Sequence, residues 1–373
     1  MENQKEEKVN FRRSLIVPSV QQLANQQSIT KIPDRYVQKL DHHDSSVVSS
    51  DNPLTIPSVP VIDLHNLTAN TSTYSSELNK LHMASKEWGF FQVINHGISE
   101  SLLEDFKREV FKLFSLSMEE KKKLWQDEDN PEGFGQLFVV SNDQKLDWSD
   151  MFYIATHPNN LKKSQVFQKL PLSLREKLEA YCAEAKKLAV TILDHMGKAL
   201  GMETREMSEL FEDGFQSMRM NYYPPCPEPE LVVGISPHSD ADALTILYQL
   251  TQTDGLQIRK DGKWVTVKPL PNALVVNVGD IMEIVSNGVY KSVLHRGMVN
   301  VDNERLSVAT FYNNSAGTEV GPAKSLVVQH KVANFRAVPL EEYLKGYFAK
   351  KLDGKSYLDY MKLGESKGDT SQI

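Results

Sequence analysis

The sequence predicts an α+β protein whose helices lie mostly in the N-terminal half and whose second half forms a β-sandwich or barrel. Two observations carry this prediction. Apolar residues recur at helical spacing over residues 75–199, and from Phe215 onward short strands alternate with turn signals such as Asp254-Gly255 and Asn287-Gly288. With 373 residues, 40% of them hydrophobic, the chain can bury a substantial core.

Four regions are expected along the chain. Residues 1–55 are interpreted as an N-terminal extension and linker, because they are polar and contain a Ser/Asp-rich patch in which His42 and His43 read as solvated loop residues. The other regions are a helix-rich part at 56–205, a strand-rich core at 206–320, and a strand, helix and tail at 321–373. In the last region, the strand is predicted at 325–328 and the helix from about Leu340.

Local signals place the elements of the N-terminal half. Ser99 is a candidate N-cap for a helix that ends near Phe114, and Ser-x-x-Glu capping boxes begin at Ser117 and Ser173. The second box is predicted to open the longest helix, which reaches about residue 199 and carries Cys182 on its apolar face as an inert core residue. Before these helices, the pattern predicts a strand at 59–64, a helix at 75–87 and a buried strand at 88–97.

Charge and cysteine content narrow the class of protein. Lys+Arg 42 against Asp+Glu 49 gives a net charge of −7, so we expect no nucleic-acid partner. The two cysteines, Cys182 and Cys226, form no disulfide framework, which favours a reducing compartment, and we expect the cytoplasm. No apolar run approaches the roughly 20 residues that cross a bilayer, so we expect no membrane partner. We also expect a monomer that acts on a small molecule.

Three residues form a candidate metal site. His238 and Asp240 alternate in an extended segment and so point the same way, while His295 must approach from elsewhere in the fold. Two imidazoles and one carboxylate leave positions open for reactants, as in non-haem Fe(II) oxygenases, whereas structural zinc normally takes four ligands, often cysteines. The H-x-D pattern is short enough to occur by chance, and a lone histidine is often a structural residue, so these three residues alone leave metal binding open. The segment that follows His295 provides a second observation on whether this is a metal site.

That following segment contains a candidate carboxylate anchor. Arg305 and Ser307 alternate with Leu306 and therefore share one strand face with Phe311. A guanidinium binds a carboxylate through two parallel hydrogen bonds, and a nearby hydroxyl adds a third, so an organic acid is the expected guest. The alternative is an arginine that is exposed at a strand start or paired with an acidic neighbour.

A second strand shows the same alternation. In residues 217–223, the polar side chains of Ser217, Arg219, Asn221 and Tyr223 share one face, and apolar side chains occupy the other. This pattern fits a strand whose polar face lines a wet cavity and whose apolar face packs under helices. Periodicity leaves open the opposite assignment, in which the polar face meets solvent.

Taken together, these motifs resemble the plant Fe(II)/2-oxoglutarate-dependent dioxygenases. The resemblance rests on His238-x-Asp240, His295 and Arg305-x-Ser307 in that order, with the Asn221-to-Cys226 and Trp88-to-Gly97 segments before them, and it extends from about Val17 to Ser356. Within the family, the chain is most similar to the senescence-related and thebaine/codeine O-demethylase-like branch. The resemblance implies a double-stranded β-helix, or jelly-roll, core flanked by helices, with 206–320 as the catalytic region.

The resemblance also implies a role for each motif residue. His238, Asp240 and His295 would ligate Fe(II), and Arg305 and Ser307 would hold the distal carboxylate of 2-oxoglutarate. Tyr223 and Asn221 would assist that carboxylate. O2 would be the other co-substrate, with ascorbate in a supportive role.

The implied reaction is oxidation of a small plant specialised metabolite, of alkaloid or phenolic type, with release of succinate and CO2. Hydroxylation and O- or N-demethylation both fit this chemistry. Candidate substrate contacts are Phe311 and Arg219, from the shared strand faces, and Phe134 and Phe152, from a region that lines the pocket in relatives. Each is equally consistent with core packing. The alternative function is a metabolite-binding or non-oxidative condensing protein on the same scaffold.

Overall fold

The structure is a computed structural model that describes residues 14–26, 31–38, 58–69, 72–127, 130–157, 164–203, 205–348 and 354–363. The Ser/Asp-rich patch with His42 and His43 therefore lies outside the described residues, together with most of the predicted linker.

The described part of the chain contains fourteen strands. They are Val61–Asp63 (β1), Phe90–Ile94 (β2), Gly133–Gly135 (β3), Asp150–His157 (β4), Gly214–Tyr223 (β5), Ile235–His238 (β6), Leu244–Gln249 (β7), Leu256–Lys260 (β8), Lys263–Thr266 (β9), Leu274–Val278 (β10), His295–Gly297 (β11), Arg305–Ser315 (β12), Glu319–Val320 (β13) and Val338–Pro339 (β14).

Twelve α-helices are described in the same ranges. They are Val20–Ala24 (α1), Leu64–Thr68 (α2), Tyr74–Met83 (α3), Glu100–Phe114 (α4), Met118–Lys122 (α5), Gln165–Lys169 (α6), Leu172–Leu200 (α7), Glu206–Phe211 (α8), Asp280–Val285 (α9), Lys324–His330 (α10), Leu340–Phe348 (α11) and Ser356–Met361 (α12). Within the described ranges, none of these helices combines the length and the apolar character needed to cross a membrane.

Two sheets form the core of the fold, which confirms the predicted α+β class and its jelly-roll centre. The larger sheet has the strand order β1-β2-β10-β7-β12-β5-β4-β3, and the smaller has the order β6-β11-β8-β9. Apolar side chains of both sheets pack against each other between them, including Phe90 and Val275 from the larger sheet and Ile258 and Val265 from the smaller one. The remaining two strands, β13 and β14, pair with each other.

Helices cover the outer face of the larger sheet. The long helix α7 packs on α4, where Phe106 and Tyr181 stack with ring centroids 4.5 Å apart. Met218, Met220 and Tyr222 of β5 belong to the same apolar cluster as these helices. The apolar face of β5 therefore packs under helices, and its polar face turns to the space between the sheets.

The described part of the N-terminal extension packs on this body. Ser19 caps the short helix α1 by accepting a hydrogen bond from the Gln22 backbone N–H. The buried carboxylate of Asp150 accepts hydrogen bonds from the backbone N–H groups of Val20, at 2.8 Å, and Gln21, at 3.0 Å. These bonds join the extension to β4 at its first residue.

Two local predictions from the sequence are wrong. The predicted strand at 325–328 lies inside helix α10, where Leu326 is buried and the Val327 N–H donates to the Ala323 carbonyl at 3.0 Å. The predicted capping box at Ser173 is absent, because α7 begins at Leu172 with Pro171 at its N-cap. The Ser173 hydroxyl instead donates to Oε2 of Glu109 on α4, at 2.7 Å.

Candidate functional site

Paired strands of the smaller sheet bring the three candidate metal ligands together. His238 ends β6, His295 begins β11, and the two residues lie directly opposite each other in the antiparallel pair. Asp240 follows β6, and its Oδ1 lies 3.5 Å from Nε2 of His238 and 3.6 Å from Nε2 of His295. All three residues offer ligand atoms within 4.8 Å of one another, and they form the one such group among the described residues.

Backbone carbonyls fix the orientation of both imidazoles. Nδ1 of His238 lies 2.8 Å from the Ser236 carbonyl oxygen, and Nδ1 of His295 lies 3.1 Å from the Val293 carbonyl oxygen. Because a carbonyl only accepts, each Nδ1 carries the proton and each Nε2 presents its lone pair to the shared centre. This is the tautomer that a metal ligand requires.

The two oxygens of Asp240 have different surroundings. Oδ2 accepts hydrogen bonds from the Thr245 hydroxyl at 2.6 Å and from Nδ2 of Asn277 at 2.8 Å. Oδ1 is the atom that faces the two imidazoles. The supporting bonds therefore hold the carboxylate so that one oxygen is directed at the centre.

The protonation states of this group also suit a metal. Burial lowers the pKa of His295 to about 4, an effect that the charge of Asp240 only partly offsets. Burial by itself would raise the pKa of Asp240, but His295, His238 and the Thr245 hydroxyl together hold it below its ordinary value. A neutral imidazole and an ionised carboxylate at neutral pH are the forms that bind metal. Two nitrogens and one oxygen at one point fit Fe(II) with open positions for reactants.

The candidate carboxylate anchor lies on the inner face of the larger sheet. In the antiparallel pair of β12 and β5, Arg305 is opposite Tyr223 and Ser307 is opposite Asn221, so the four side chains share a face. The Arg305 guanidinium lies over the Tyr223 ring, 5.0 Å from its centroid. One of its terminal nitrogens donates to Oε1 of Gln249 at 3.1 Å.

Several buried polar atoms on this face have no hydrogen-bond partner among the residues that the structure describes. They are Nε of Arg305, Oγ of Ser307 and Oδ1 of Asn221. A buried polar group without a partner is costly, so the pattern indicates that a polar ligand completes it. A dicarboxylic acid fits the two of these atoms that can donate, because one carboxylate would accept from the guanidinium and the hydroxyl while the rest of the molecule extends toward the metal centre. Oδ1 of Asn221 only accepts hydrogen bonds, so it would need a donor rather than a carboxylate.

The four candidate substrate contacts fall into two groups. Phe311 lies on the face of Arg305, directly opposite Thr245, and is partly exposed. Arg219 lies on the same face, opposite Ala309, and its buried Nε has no partner within the described residues. The structure does not bring Phe134 and Phe152 to this face, because both belong to the core under the helices, where their rings meet with centroids 5.1 Å apart.

Sequence reasoning missed the residues that support the site. Thr245 and Gln249 were unassigned, although their spacing on β7 gives an otherwise apolar strand two polar side chains on one face. Asn277 is the one polar residue in the apolar strand β10. Gly255 leaves room for the stem of Arg305, since a Cβ there would lie 2.6 Å from its Cδ. A polar residue in an otherwise apolar strand is the sequence signal that could have identified Thr245, Gln249 and Asn277.

Two models of protein families match the chain. Residues 214–314 match the 2OG-Fe(II) oxygenase superfamily, and residues 59–176 match the non-haem dioxygenase in morphine synthesis N-terminal family. The first match contains His238, Asp240, His295, Arg305 and Ser307. The second covers most of the helix-rich region.

Three curated plant proteins are similar along nearly their whole length. Protein SRG1 of Arabidopsis thaliana is 51% identical, and the alignment covers 94% of this chain and 97% of that protein. Oxoglutarate-dependent flavonoid 7-O-demethylase 1 of Ocimum basilicum is 49% identical, with coverage of 94% and 92%. Codeine O-demethylase of Papaver somniferum is 46% identical, with coverage of 95% and 98%.

A solved structure agrees with the architecture. The crystal structure of JOX2 in complex with 2OG, Fe and JA superimposes with a TM-score of 0.81 and 33% sequence identity. The superposition covers 93% of this chain and 98% of that one. The similarity therefore includes both sheets and the helices that cover them.

Proposed function

Because this chain belongs to the 2OG-Fe(II) oxygenase superfamily, we propose that it demethylates or hydroxylates a small plant specialised metabolite of the alkaloid or phenolic type. It is a 2-oxoglutarate-dependent dioxygenase that uses Fe(II), 2-oxoglutarate and O2 and releases succinate and CO2. The proposal rests chiefly on the His238, Asp240 and His295 group, whose ligand atoms lie within 4.8 Å of one another, together with the unpartnered Nε of Arg305 and Oγ of Ser307.

O-demethylation is the form of the reaction that the relatives favour. Two of them are named as O-demethylases, one of a flavonoid and one of codeine. Oxidation of the methyl carbon of a methoxy group gives a hydroxymethyl ether, which collapses to formaldehyde and a free hydroxyl. The same oxidation at a carbon without a leaving oxygen or nitrogen stops at the alcohol, which is hydroxylation.

In the proposed mechanism, His238, Asp240 and His295 hold the metal. Bound Fe(II) and 2-oxoglutarate supply the activation of O2 that oxidises a C–H bond. The protein holds both imidazoles in the Nε2-ligand form through the carbonyls of Ser236 and Val293. It keeps the carboxylate of Asp240 in place through Thr245 and Asn277, so the ligands need not reorganise when the metal binds.

Arg305 and Ser307 are proposed to bind the distal carboxylate of 2-oxoglutarate. Gln249 orients the guanidinium by accepting a hydrogen bond from one of its terminal nitrogens. The buried Nε of Arg305 remains available to donate to the ligand. Tyr223 lies against the guanidinium and excludes water from it. Asn221 lies opposite Ser307, and because its free Oδ1 only accepts hydrogen bonds, we assign it to lining this face beside the carboxylate rather than to bonding it. These groups fix the orientation of the co-substrate relative to the metal.

Phe311 and Arg219 are proposed to border the substrate. Phe311 lies next to Thr245, the residue that supports Asp240, and supplies an aromatic surface for a planar guest. Arg219 supplies a donor for an oxygen substituent, because its buried Nε has no partner among the described residues. Phe134 and Phe152 are left out of this proposal because they pack in the helix-covered core.

The test is a substrate screen with purified protein, Fe(II) and 2-oxoglutarate in air. Methoxylated alkaloids, flavonoids, phenylpropanoids and hormone acids are incubated separately, and succinate and substrate mass are measured. We expect a matched substrate to raise succinate formation and to lose one CH2 unit or gain one oxygen atom. His238→Ala should abolish both, whereas His65→Ala, on the exposed side of α2, should not.

Three outcomes would contradict the proposal. Full turnover by His238→Ala would exclude the metal role of that residue. Product formation without O2 or 2-oxoglutarate, or tight metabolite binding with no succinate under any condition, would favour the condensing or binding alternative.

We further propose that the protein acts as a cytoplasmic monomer, with 56–205 and 206–320 as its helix-rich and catalytic regions. Cys182 and Cys226 are both free and buried, which suits a reducing compartment. Size-exclusion chromatography with light scattering tests the oligomeric state, and imaging of a fluorescent fusion tests the location.

A further inference from the structure

The C-terminal helix α11 lies against the loop that carries Asp240. Tyr343 and Tyr347 are one helical turn apart and therefore share a face of α11. The Tyr343 hydroxyl donates to the Ala241 carbonyl at 3.0 Å, and the Tyr347 hydroxyl donates to the Ser239 carbonyl at 3.3 Å. The two acceptors are the carbonyls of the residues immediately before and after Asp240.

These two bonds are placed to restrain the backbone on both sides of the carboxylate ligand. A loop residue can rotate about its own φ and ψ angles, and that rotation moves its side chain. The Ser239 carbonyl belongs to the peptide unit before Asp240, and the Ala241 carbonyl belongs to the unit after Ala241, so the two bonds hold the backbone at either end of residues 239–241 and oppose its rotation. Tyr343 is fully buried, so its bond is shielded from competition with water.

The chain that follows α11 holds the same loop from a second direction. The backbone of Gly354 pairs with that of His238, and its carbonyl accepts from the Ser239 N–H at 3.4 Å. Lys355 anchors this segment, because its Nζ lies 2.9 Å from Oε2 of Glu283 on α9 and 2.6 Å from the Ser292 carbonyl.

Helix α9 completes the enclosure from inside the protein. Its first residue, Asp280, donates its backbone N–H to the Asp240 carbonyl at 2.8 Å. The Ser239 hydroxyl donates to Oδ2 of Asp280 at 3.1 Å. The backbone of residues 238–241 is thus bonded to α9 on one side and to the C-terminal segment on the other.

We propose that Tyr343 and Tyr347 are positioning residues that fix the Asp240 loop, so that metal affinity depends on two phenol groups of the C-terminal helix. The inference rests on the proposed metal role of His238 and Asp240. Neither tyrosine touches the metal centre in this assignment. Each acts through a backbone carbonyl next to the ligand.

The experiment measures binding of Mn(II), as an oxygen-stable substitute for Fe(II), to the full-length protein in the presence of 2-oxoglutarate. The variants are Tyr343→Phe, Tyr347→Phe and the double variant, which remove the hydroxyls and keep the rings. We expect the double variant to bind Mn(II) about tenfold more weakly, the lower end of the effect of outer-sphere substitutions. Each single variant should give an intermediate loss.

A matched control separates positioning from general packing. Tyr360→Phe removes the hydroxyl of a half-exposed tyrosine on α12 and should leave Mn(II) affinity unchanged. Succinate formed per substrate oxidised should rise in the double variant, because a displaced ligand loosens the coupling between the two half-reactions. The melting temperature of the metal-free double variant should fall modestly, because each substitution leaves a carbonyl without its partner, so Mn(II) affinity is measured at a temperature at which every variant is folded.

Different results would exclude the positioning role of the tyrosines and the metal site itself. Wild-type affinity in the double variant would overturn the positioning role while leaving the metal site intact. Absence of Mn(II) binding in the wild type, or equal binding by His238→Ala, would overturn the metal site and with it this inference. If the double variant does not fold, Tyr347→Phe alone decides the question, since that residue is only partly buried.

Discussion

The two carboxylate oxygens of Asp240 have different roles, because two neighbouring side chains bond one oxygen and leave the other free to face the imidazoles. Thr245 and Asn277 bond Oδ2 from adjacent strands, because they lie opposite each other in the pair of β7 and β10. Oδ1 is thereby left to face the imidazoles. The ligand geometry is set by the strand register as much as by the H-x-D motif.

Arg305→Lys should weaken 2-oxoglutarate binding, because an ammonium group cannot make two parallel hydrogen bonds to a carboxylate. A hydrogen bond to a charged group contributes about 1.5 to 3 kcal/mol, so the KM for 2-oxoglutarate should rise roughly 10- to 100-fold. Steady-state succinate formation at varied 2-oxoglutarate measures this change.

Arg108→Lys is the control, because that arginine is exposed on α4, where it pairs with Asp105. An unchanged KM in Arg305→Lys would contradict the anchor assignment.

At this scale, the sequence identified the motif residues but not their supports. His238, Asp240, His295, Arg305 and Ser307 follow from spacing and alternation, and the structure brings each set together. Thr245, Asn277 and Gln249 support them through contacts that depend on which strands are neighbours. The supports require β7 to lie between β10 and β12 in the larger sheet, although other strands separate β7 from both of them along the chain. Local patterns could not predict that arrangement.

Among the elements, helix starts show where local signals succeed and where they fail. Ser99 caps α4 as predicted, since its hydroxyl accepts from the Leu102 N–H. Ser117 and Glu120 form the predicted capping box of α5. The same pattern at Ser173 fails because α7 starts before the serine: Pro171 lies at the N-cap, where its missing N–H removes no helical hydrogen bond, so Ser173 is already inside the first turn.

This difference predicts an inverted order of alanine and glycine variants at the two serines. At an N-cap, alanine costs about 1 kcal/mol and glycine only a few tenths, so Ser99→Ala should destabilise more than Ser99→Gly. Inside a helix, glycine is worse than alanine by roughly 0.5 kcal/mol or more, so Ser173→Gly should destabilise more than Ser173→Ala. Urea unfolding of the four variants measures both orders, and the same order at both sites would contradict the assigned helix start.

The strand predicted at 325–328 illustrates a second limit. Ser325-Leu326-Val327-Val328 is short and rich in β-branched residues, which favours a strand on local grounds. In the structure, Leu326 packs into the core and the Ser325 backbone N–H donates to Oε1 of Glu206 at 3.0 Å. Tertiary contacts to α8 therefore override the local preference, and no local pattern contains that information.

Over the whole molecule, the larger sheet separates two environments. Its outer face packs under α4 and α7, and its inner face carries the polar residues of the site. The alternation in residues 217–223 allowed either assignment of the faces. The long helix predicted at 173–199 could have decided which face of this strand packs under helices. Its wide apolar face needs an apolar sheet face to cover, and Met218, Met220 and Tyr222 provide one.

Binding of metal and co-substrate should stabilise the whole fold. Mn(II) and 2-oxoglutarate, each present at about 100 times its dissociation constant, each add roughly 2.7 kcal/mol to the stability of the folded form. The melting temperature should therefore rise when both are added and fall again with EDTA. Scanning calorimetry measures this change. The melting temperature of His238→Ala should rise little, and a rise equal to that of the wild type would place the metal elsewhere.

The outer strands of the larger sheet have one further consequence. Both edge strands, β1 and β3, are only three residues long, and Phe134 in β3 is already bridged to Trp125. A long open edge would offer a row of backbone donors and acceptors to a second molecule. Edges this short offer little for another chain to extend, so the larger sheet has a built-in protection against strand-to-strand aggregation.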